Sequence, residues 1–246
     1  MDSKLYKTVY ERLAVGSDLG ELSSTYGINI DTLNALLHQK IVRETMHNHH
    51  KIQSNAHTLA QQWKCGEPIM TISEKLNFPP VMTAWLILSA RGISRSQFRA
   101  ILRNPKGITD HRLQKELTDA LKKDIVYSPE AIAERTAKGK MVEDTVNLYL
   151  TSLGMKFITE QEARQKNHAK TPDFLLNGAL KFQDQAVRWV ECKASFGDEF
   201  EVKRDYRKQL RHYASLYGSG LVVYWYGFID GITLDKIILT SESGLL

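Results

Sequence analysis

A glutamate and a lysine stand two residues apart in the otherwise apolar stretch "WVECKAS" (189–195). The composition of this stretch favours a β-strand, and side chains at positions i and i+2 of a strand point to the same face. Glu191 and Lys193 therefore share one face, while Val190 and Cys192 face the core. Charges buried in a strand are costly unless something pairs with them. The pattern indicates a functional site on the Glu191 face.

A second acid precedes this strand in "KTPDFLL" (170–176), where Asp173 directly follows a proline, with 17 residues between it and Glu191. Proline favours extended backbone in the residue before it, and we expect Asp173 to open the strand that this stretch contains. If the two strands are neighbours, Asp173 and Glu191 converge on one hard cation. Mg²⁺ prefers oxygen ligands, usually one or two carboxylates completed by water and phosphate oxygens, and Mn²⁺ can substitute. Lys193 then suits the charge of a phosphodiester under attack, or the orientation of the attacking water.

These three residues match the PD-(D/E)xK motif of the restriction-endonuclease-like nucleases. The longer strings "KTPDF", "ASFGDE" and "GLVVYWYGF" follow in the same order and resemble the TPD-motif family, to which the codanin-interacting nuclease belongs. The resemblance implies helix-turn-helix modules followed by a nuclease domain related to archaeal Holliday-junction resolvases. It implies Asp173 and Glu191 as metal ligands, the Cys192 backbone carbonyl as a further ligand, and Lys193 as the catalytic lysine.

The resemblance also implies two residues on helices. The acid of the first superfamily helix falls on Glu143 in "MVEDTV", with Asp144 as the competitor, and would be a metal ligand. The catalytic glutamine of the following helix falls on Gln209 in "YRKQLRHY". The alternative for Glu143 and Gln209 is an ordinary solvated helix face.

The pattern of elements predicts an α/β fold with a mixed sheet preceded by an all-α region. Residues 1–127 read as helices, with two helix-turn-helix-like modules at 19–44 and 70–94. Residues 128–246 read as a helix, three strands, a helix near 202–217 and further strands, which the resemblance identifies as the nuclease domain. The net charge of +5 lies in the first half, which has 17 Lys and Arg against 12 Asp and Glu. This excess favours a polyanion partner for that half.

Basic residues on two helices are candidates for contacts to nucleic acid. In the first module, the second helix runs into Lys40 and Arg43, which could meet phosphates. In the second half, Arg204, Lys208 and Arg211 recur at i, i+4 and i+7 and predict one basic face beside the acidic pair. The alternative is that this face pairs with neighbouring acids, namely Asp198, Glu199 and Glu201. A histidine group, His47, His49, His50 and His57, lacks good ligand spacing, so we expect a solvated helix end rather than a metal site.

No apolar run is long enough to span a bilayer and no signal-peptide pattern opens the chain, so we expect a cytoplasmic protein, or a nuclear one in a eukaryote, without membrane contact. The expected activity is a Mg²⁺-dependent nuclease acting on DNA, including branched DNA. A homodimer would supply the two active sites that junction resolution requires, and a codanin-type partner applies to a eukaryotic chain. The alternatives are a nucleic-acid-binding or scaffold protein with a silent nuclease fold, and a structural partner in a larger complex.

Overall fold

The computed structural model describes residues 1–165 and 170–245 of the chain. The chain divides into two compact units: a sheet unit, formed by Met1–Leu37 and the chain from Ala137 onward, and a helical unit, His38–Thr136. Residues 1–37 thus belong with the sheet, whereas the sequence-based division at residue 127 grouped them with the helical region. The reason is tertiary: the Tyr6 ring of the first helix stacks on Phe196 at 5.8 Å, a contact that no local pattern encodes.

Helices dominate the first part of the described chain. They are α1 (Ser3–Arg12), α2 (Leu19–Tyr26), α3 (Ile30–Ser54), α4 (Ala56–Lys64), α5 (Ile69–Leu76), α6 (Pro80–Ser89), α7 (Arg95–Arg103), a 3₁₀ turn (Pro105–Gly107), α8 (His111–Lys123) and α9 (Pro129–Ser152). The predicted glycine turn of the first module is present, since Gly27 ends α2 with a left-handed φ of 64°. Glycine adopts this conformation without the steric cost that other residues carry.

The second part alternates strands and helices. The elements are β1 (Phe157–Thr159), α10 (Glu160–Gln165), β2 (Phe174–Phe182), β3 (Gln185–Lys193), α11 (Glu199–Asp205), a π-turn (Tyr206–Leu210), α12 (Arg211–Tyr217), β4 (Gly220–Tyr224), β5 (Ile237–Thr240) and α13 (Glu242–Leu245). The predicted fold class, a helical N-terminal region followed by a mixed sheet, is confirmed.

The five strands form one sheet in the order β1-β2-β3-β4-β5. The first three strands are antiparallel neighbours, and β4 and β5 continue in parallel to β3. One face of the sheet packs against α9 through Val142, Val146 and Leu150. The other face carries Trp189 and packs against the helices that follow β3, through Val202, Leu210 and Tyr213. The sheet is therefore the middle layer of the sheet unit, as the alternating pattern of β3 requires.

In the helical unit α6 is the central helix. It packs against α4, α5, α7 and α8, and none of its ten residues is exposed. Asp124, which is 4% exposed, accepts hydrogen bonds from the backbone N–H groups of Val81, Val126 and Tyr127. One carboxylate thereby accepts hydrogen bonds from backbone N–H groups at the start of α6 and in the turn after α8. It links these two parts of the helical unit.

Among the described residues, no helix combines the length and the apolar character needed to cross a membrane.

Candidate active site

Strand pairing brings the two predicted acids together. Phe174 at the start of β2 lies opposite Val190 of β3, which sets Asp173 beside Glu191. The backbone N–H of Cys192 donates to Oδ2 of Asp173 at 2.7 Å, and the backbone N–H of Asp173 donates to Oε2 of Glu191 at 3.3 Å. Each carboxylate is therefore oriented by the backbone of the other's strand.

Glu191 is the centre of this group. It is 5% exposed, and its Oε1 atom accepts hydrogen bonds from Nζ of Lys193 at 2.7 Å and from Nε2 of Gln209 at 2.6 Å. Four residues singled out in the sequence, Asp173, Glu191, Lys193 and Gln209, thus form one connected cluster. Gln209 is half-buried and faces this cluster, so the solvated-face alternative does not describe it.

Burial shifts the acids of this cluster towards the protonated form. It raises the pKa of Glu191 to about 7; the charge of Asp173 adds to the rise and that of Lys193 opposes it. Burial also raises the pKa of Asp173, and the charge of Glu160 adds to the rise, while the Cys192 N–H and Lys193 oppose it. Two adjacent carboxylates that resist ionisation form a place where a cation is favourable, because its charge would stabilise both ionised groups.

Lys193 stays charged in these surroundings. Burial lowers its pKa, but the charges of Glu191, Asp205 and Asp173 outweigh this effect, so the pKa of Lys193 is raised overall. At neutral pH the side chain is therefore an ammonium group. It can stabilise negative charge on a phosphate, and it cannot act as a general base without first losing that proton.

Glu143 of α9 lies within the electrostatic reach of the cluster. Its pKa is raised first by partial burial and then by the charges of Asp173, Glu160 and Asp144. Glu143 therefore lies close enough to Asp173 for their charges to interact, and its role as a metal ligand stays a prediction. Glu160, at the start of α10, was not singled out in the sequence. Its backbone N–H donates to the carbonyl oxygen of Asp173 at 3.0 Å, and its only sequence signal is a carboxylate directly after β1.

A π-turn positions Gln209. The helix that starts at Glu199 widens over Tyr206–Leu210 before α12 continues it. A π-turn contains one residue more than an α-turn, which rotates the side chains that follow, and such turns are frequent at functional sites. Asp205, just before the turn, is held by hydrogen bonds from Arg204 and from the Tyr224 hydroxyl group.

The predicted basic face is divided by these contacts. Arg204 is ion-paired with Glu201 and with Asp205, as in the alternative that assigned the stripe to neighbouring acids. Lys208 and Arg211 are exposed. Lys208 and Arg211 remain predicted contacts to nucleic acid, whereas Arg204, whose side chain is 34% exposed, is held by its two acidic partners.

Three further acids, Asp198, Glu201 and Asp205, are 2%, 4% and 5% exposed. Each has a protein partner: Asp198 accepts from the Tyr6 hydroxyl group at 2.6 Å and caps α11, and the other two pair with Arg204. These contacts account for their burial by structure alone. The Tyr6–Asp198 bond joins α1 to the start of α11, and the Tyr224–Asp205 bond joins α11 to β4.

The residues present fit a hard divalent cation. Within residues 1–165 and 170–245 no three His, Cys, Asp or Glu side chains are arranged as a complete metal cage. Mg²⁺ does not require one, since it is commonly bound by one or two carboxylates plus water and substrate oxygens. Asp173 and Glu191 offer such a pair. Their raised pKa values show that ionising the two carboxyl groups is unfavourable, and the charge of a bound cation would make it more favourable.

The second helix of the first module continues past its two predicted basic residues. Lys40 and Arg43 lie in the middle of α3, which continues to Ser54, and both are half-buried. The histidines lie in the second half of α3 and at the start of α4; three of them are exposed, and the half-buried His49 ring lies 6.4 Å from that of Phe78. The chain at 70–94 forms the predicted hairpin of α5 and α6, but α6 exposes no residue. The hairpin is therefore present, and contact of this module with nucleic acid stays a prediction that does not run through the covered helix α6.

The profile of a family described as a protein of unknown function with a TPD sequence motif matches residues 109–243, more than half of the chain. The chain belongs to this TPD-motif family. The motif corresponds to Thr171, Pro172 and Asp173, so the family's defining string ends on the acid that opens β2.

Relatives extend the similarity beyond this region. CDAN1-interacting nuclease 1 of Danio rerio is 29% identical over 222 residues, 85% of this chain and 72% of that protein. The Homo sapiens protein of the same name is 29% identical over 185 residues, 72% of this chain and 64% of that protein. The Gallus gallus protein is 26% identical over 224 residues, 85% and 76% of the two chains. The aligned region thus leaves about a quarter to somewhat more than a third of each relative uncovered. No solved structure matches the chain significantly.

Proposed function

We propose that the sheet unit is a metal-dependent nuclease of the PD-(D/E)xK type that hydrolyses phosphodiester bonds in DNA. The observation that carries the proposal is the cluster of Asp173 and Glu191 with Lys193 and Gln209, in which one acid is almost fully buried and both hold raised pKa values. Membership of the TPD-motif family and similarity to proteins named nucleases support it.

Each residue has a distinct part in this proposal. Asp173 and Glu191 would hold the Mg²⁺ ion, with Glu143 on the side of Asp173 and the Cys192 carbonyl as a further oxygen ligand. When bound, such an ion polarises a phosphate and lowers the pKa of a coordinated water. Lys193, as an ammonium group, stabilises the negative charge that develops on the phosphate.

Gln209 has a supporting part. Because Lys193 and Gln209 both donate to Oε1 of Glu191, the carboxylate cannot rotate freely about its Cγ–Cδ bond. The Oε2 atom is thereby kept on the side of Asp173. Neighbours that orient a metal ligand in this way typically change affinity or activity about 10–100-fold when removed.

The same four residues would also be in contact if they formed only a structural ion pair. The test must therefore separate a loss of catalytic activity from a loss of folding stability. Purified protein is incubated with labelled duplex, flap, junction and single-stranded DNA and with RNA, in Mg²⁺ or Mn²⁺. Asp173→Asn and Lys193→Met are compared with Lys203→Met, which alters the exposed lysine that pairs with Glu199 at the surface. We expect metal-dependent products that fall about 100-fold or more in the first two variants and persist in the third.

Binding of the same substrates in EDTA is measured beside cleavage. Asp173→Asn and Lys193→Met should still bind DNA, because phosphate contacts outside the site supply most of the affinity. Cleavage at the wild-type rate in both variants would contradict the assigned site. No cleavage of any substrate by the wild-type protein, with binding intact, would instead favour the binding-protein alternative.

A further inference from the structure

A row of arginines runs along the exposed side of α7. Arg95, Arg99 and Arg103 recur every four residues, and all three are exposed. Residues at this spacing lie above one another on a helix, and eight residues of α-helix rise about 12 Å. The three guanidinium groups therefore form a straight row about two turns long.

The other side of α7 is fixed to the core of the helical unit. Phe98 is buried, and its ring lies 5.4 Å from the ring of Trp85 on α6. Ser94 caps the helix through a reciprocal pair of hydrogen bonds with Gln97. The helix is thus held by its apolar face and its cap, so the arginine row contributes little to packing beyond the position of Arg95 above the Trp85 ring at 5.8 Å.

No carboxylate neutralises this row. The sequence of α7, RSQFRAILR, contains no acid, and in the part of the chain that the structure describes none of the three arginines forms an ion pair. Arg112 on α8, by contrast, pairs with Glu116 at 2.7 Å. The whole helical unit carries 15 Lys and Arg against 9 Asp and Glu, while the rest of the chain carries 18 against 19. The positive charge of the protein is therefore concentrated in the unit that contains α7.

The neighbouring helix α8 exposes three lysines, Lys115, Lys122 and Lys123, with the acid Asp119 between them in sequence, whereas α7 contains no acid. The second helix of the predicted module, α6, has neither an exposed nor a charged residue. A polyanion that binds the helical unit therefore cannot contact the covered residues of α6. On α7 it can contact exposed arginines that form no ion pair in the described part of the chain. A membrane is a poorer partner, because a membrane-surface helix needs an exposed apolar face, and the apolar face of α7 is used in the core.

We propose that α7 is the helix through which the helical unit contacts double-stranded DNA, with Arg95, Arg99 and Arg103 binding backbone phosphates. Arginine forms strong charge-assisted hydrogen bonds with phosphate oxygens. A row of about 12 Å matches the width of the major groove, so the helix can bind along a groove edge or across it. The contact is independent of bond cleavage, so it goes beyond the nuclease activity proposed for the sheet unit.

The test is the salt dependence of duplex binding by the full chain in EDTA. A labelled 30-base-pair duplex is titrated by fluorescence anisotropy at several salt concentrations. Each phosphate contact adds about 0.9 to the slope of log affinity against log salt. The triple variant Arg95→Gln/Arg99→Gln/Arg103→Gln should therefore lower the slope by about 2.7 relative to the wild type. Glutamine has nearly the helix propensity of arginine, so α7 should remain folded.

Two matched variants make the outcome specific. Lys115→Gln/Lys122→Gln/Lys123→Gln removes the same charge from exposed positions of α8 and should change the slope by less than half as much. Arg95→Lys/Arg99→Lys/Arg103→Lys keeps the charge and should keep the slope. Equal slopes for the wild type and the α7 glutamine variant would overturn the proposal. An equal loss in the α8 variant would also overturn it, because binding would then follow net charge alone.

A second ligand separates DNA from other anionic surfaces. Vesicles containing phosphatidylserine are offered to the same proteins, and we expect binding weaker than that of the duplex. Vesicle binding that depends on the α7 arginines, without duplex binding, would overturn the DNA assignment. Since all titrations are in EDTA, a protein that binds DNA through α7 but never cuts it would support this inference while contradicting the proposed nuclease.

Discussion

Gln209 donates a hydrogen bond from Nε2 to Oε1 of Glu191 over 2.6 Å, although the two residues lie on different elements of the sheet unit. The contact depends on the π-turn of Tyr206–Leu210, which rotates Gln209 towards β3. It fixes one oxygen of Glu191 and leaves the other directed towards Asp173. Gln209 therefore acts on the proposed metal site by orienting a ligand.

We expect Gln209→Ala to reduce cleavage about 10–100-fold and to raise the metal concentration needed for half-maximal rate, because Glu191 loses one of its two orienting donors. Rates are measured against Mg²⁺ concentration. Gln185→Ala, at an exposed position at the start of β3, is the matched control and should behave as the wild type. A variant with a lower rate but an unchanged metal requirement would argue against an orienting role.

Glu143 and Asp144 are adjacent on α9, and both are exposed. The charge of Asp173 acts on Glu143 and raises its pKa after the effect of partial burial. We expect Glu143→Gln to raise the half-maximal Mg²⁺ concentration several-fold, since a ligand on the side of Asp173 is lost, while Asp144→Asn leaves it unchanged. The two variants are compared in the same metal titration. The reverse order would assign the helix acid to Asp144.

The raised pKa of Glu191 makes the stability of the metal-free protein depend on pH. The folded-state value of about 7 lies above the ordinary value of 4.5, so between these pH values the folded chain binds more protons than the unfolded chain. The stabilisation is complete below pH 4.5 and is lost as pH rises through about 7. In EDTA, Glu191→Gln should therefore gain stability relative to the wild type between pH 5 and pH 8, by about 1–3 kcal/mol.

This difference is measured as urea midpoints at pH 5 and pH 8 in EDTA. Using the difference between variant and wild type cancels the titration of distant groups. Glu199→Gln, an exposed carboxylate on α11 paired with Lys203, should show no such trend. Adding Mg²⁺ at pH 8 should stabilise the wild type more than Glu191→Gln. A stability difference between variant and wild type that does not move in favour of the variant from pH 5 to pH 8 would contradict the raised pKa.

Part of the site could be predicted from the sequence because it depends on residues that lie close together along the chain. Period-two alternation in "WVECKAS" places Glu191 and Lys193 on one face, and the proline before Asp173 marks the start of β2. The antiparallel pairing of β2 with β3 then brings the acids together. The fold class follows from the same local periodicities, so it too could be predicted.

The rest depends on contacts between distant residues. The row of Arg204, Lys208 and Arg211 assumed regular α-helix spacing, and no sequence signal marks the π-turn that interrupts it. Arg204 pairs with the buried acid Asp205, which also accepts a hydrogen bond from the Tyr224 hydroxyl group. The sequence does not reveal this contact between distant residues. Similarly, an amphipathic pattern cannot show that α6 is covered on every side by four other helices.

Gly220 connects the packing of the sheet to the position of the site. A Cβ atom at Gly220 would lie 1.9 Å from Cε2 of Trp189, whose buried ring covers the start of β4. We expect Gly220→Ala to destabilise the protein by about 3 kcal/mol or more, because neither the ring nor the strand can move without opening the core. Gly178→Ala on β2, where a Cβ meets nothing within 4 Å, is the control. Urea midpoints followed by tryptophan fluorescence measure the stability of both variants.

Strand β4 pairs with β3 at Val222 and Glu191, so unfolding of β4 would also displace Glu191. When Gly220→Ala is heated, its cleavage activity should therefore be lost at the temperature at which its tryptophan fluorescence changes. Equal midpoints for the two alanine variants would show that the ring can move aside, and that the alignment of Glu191 does not depend on this contact.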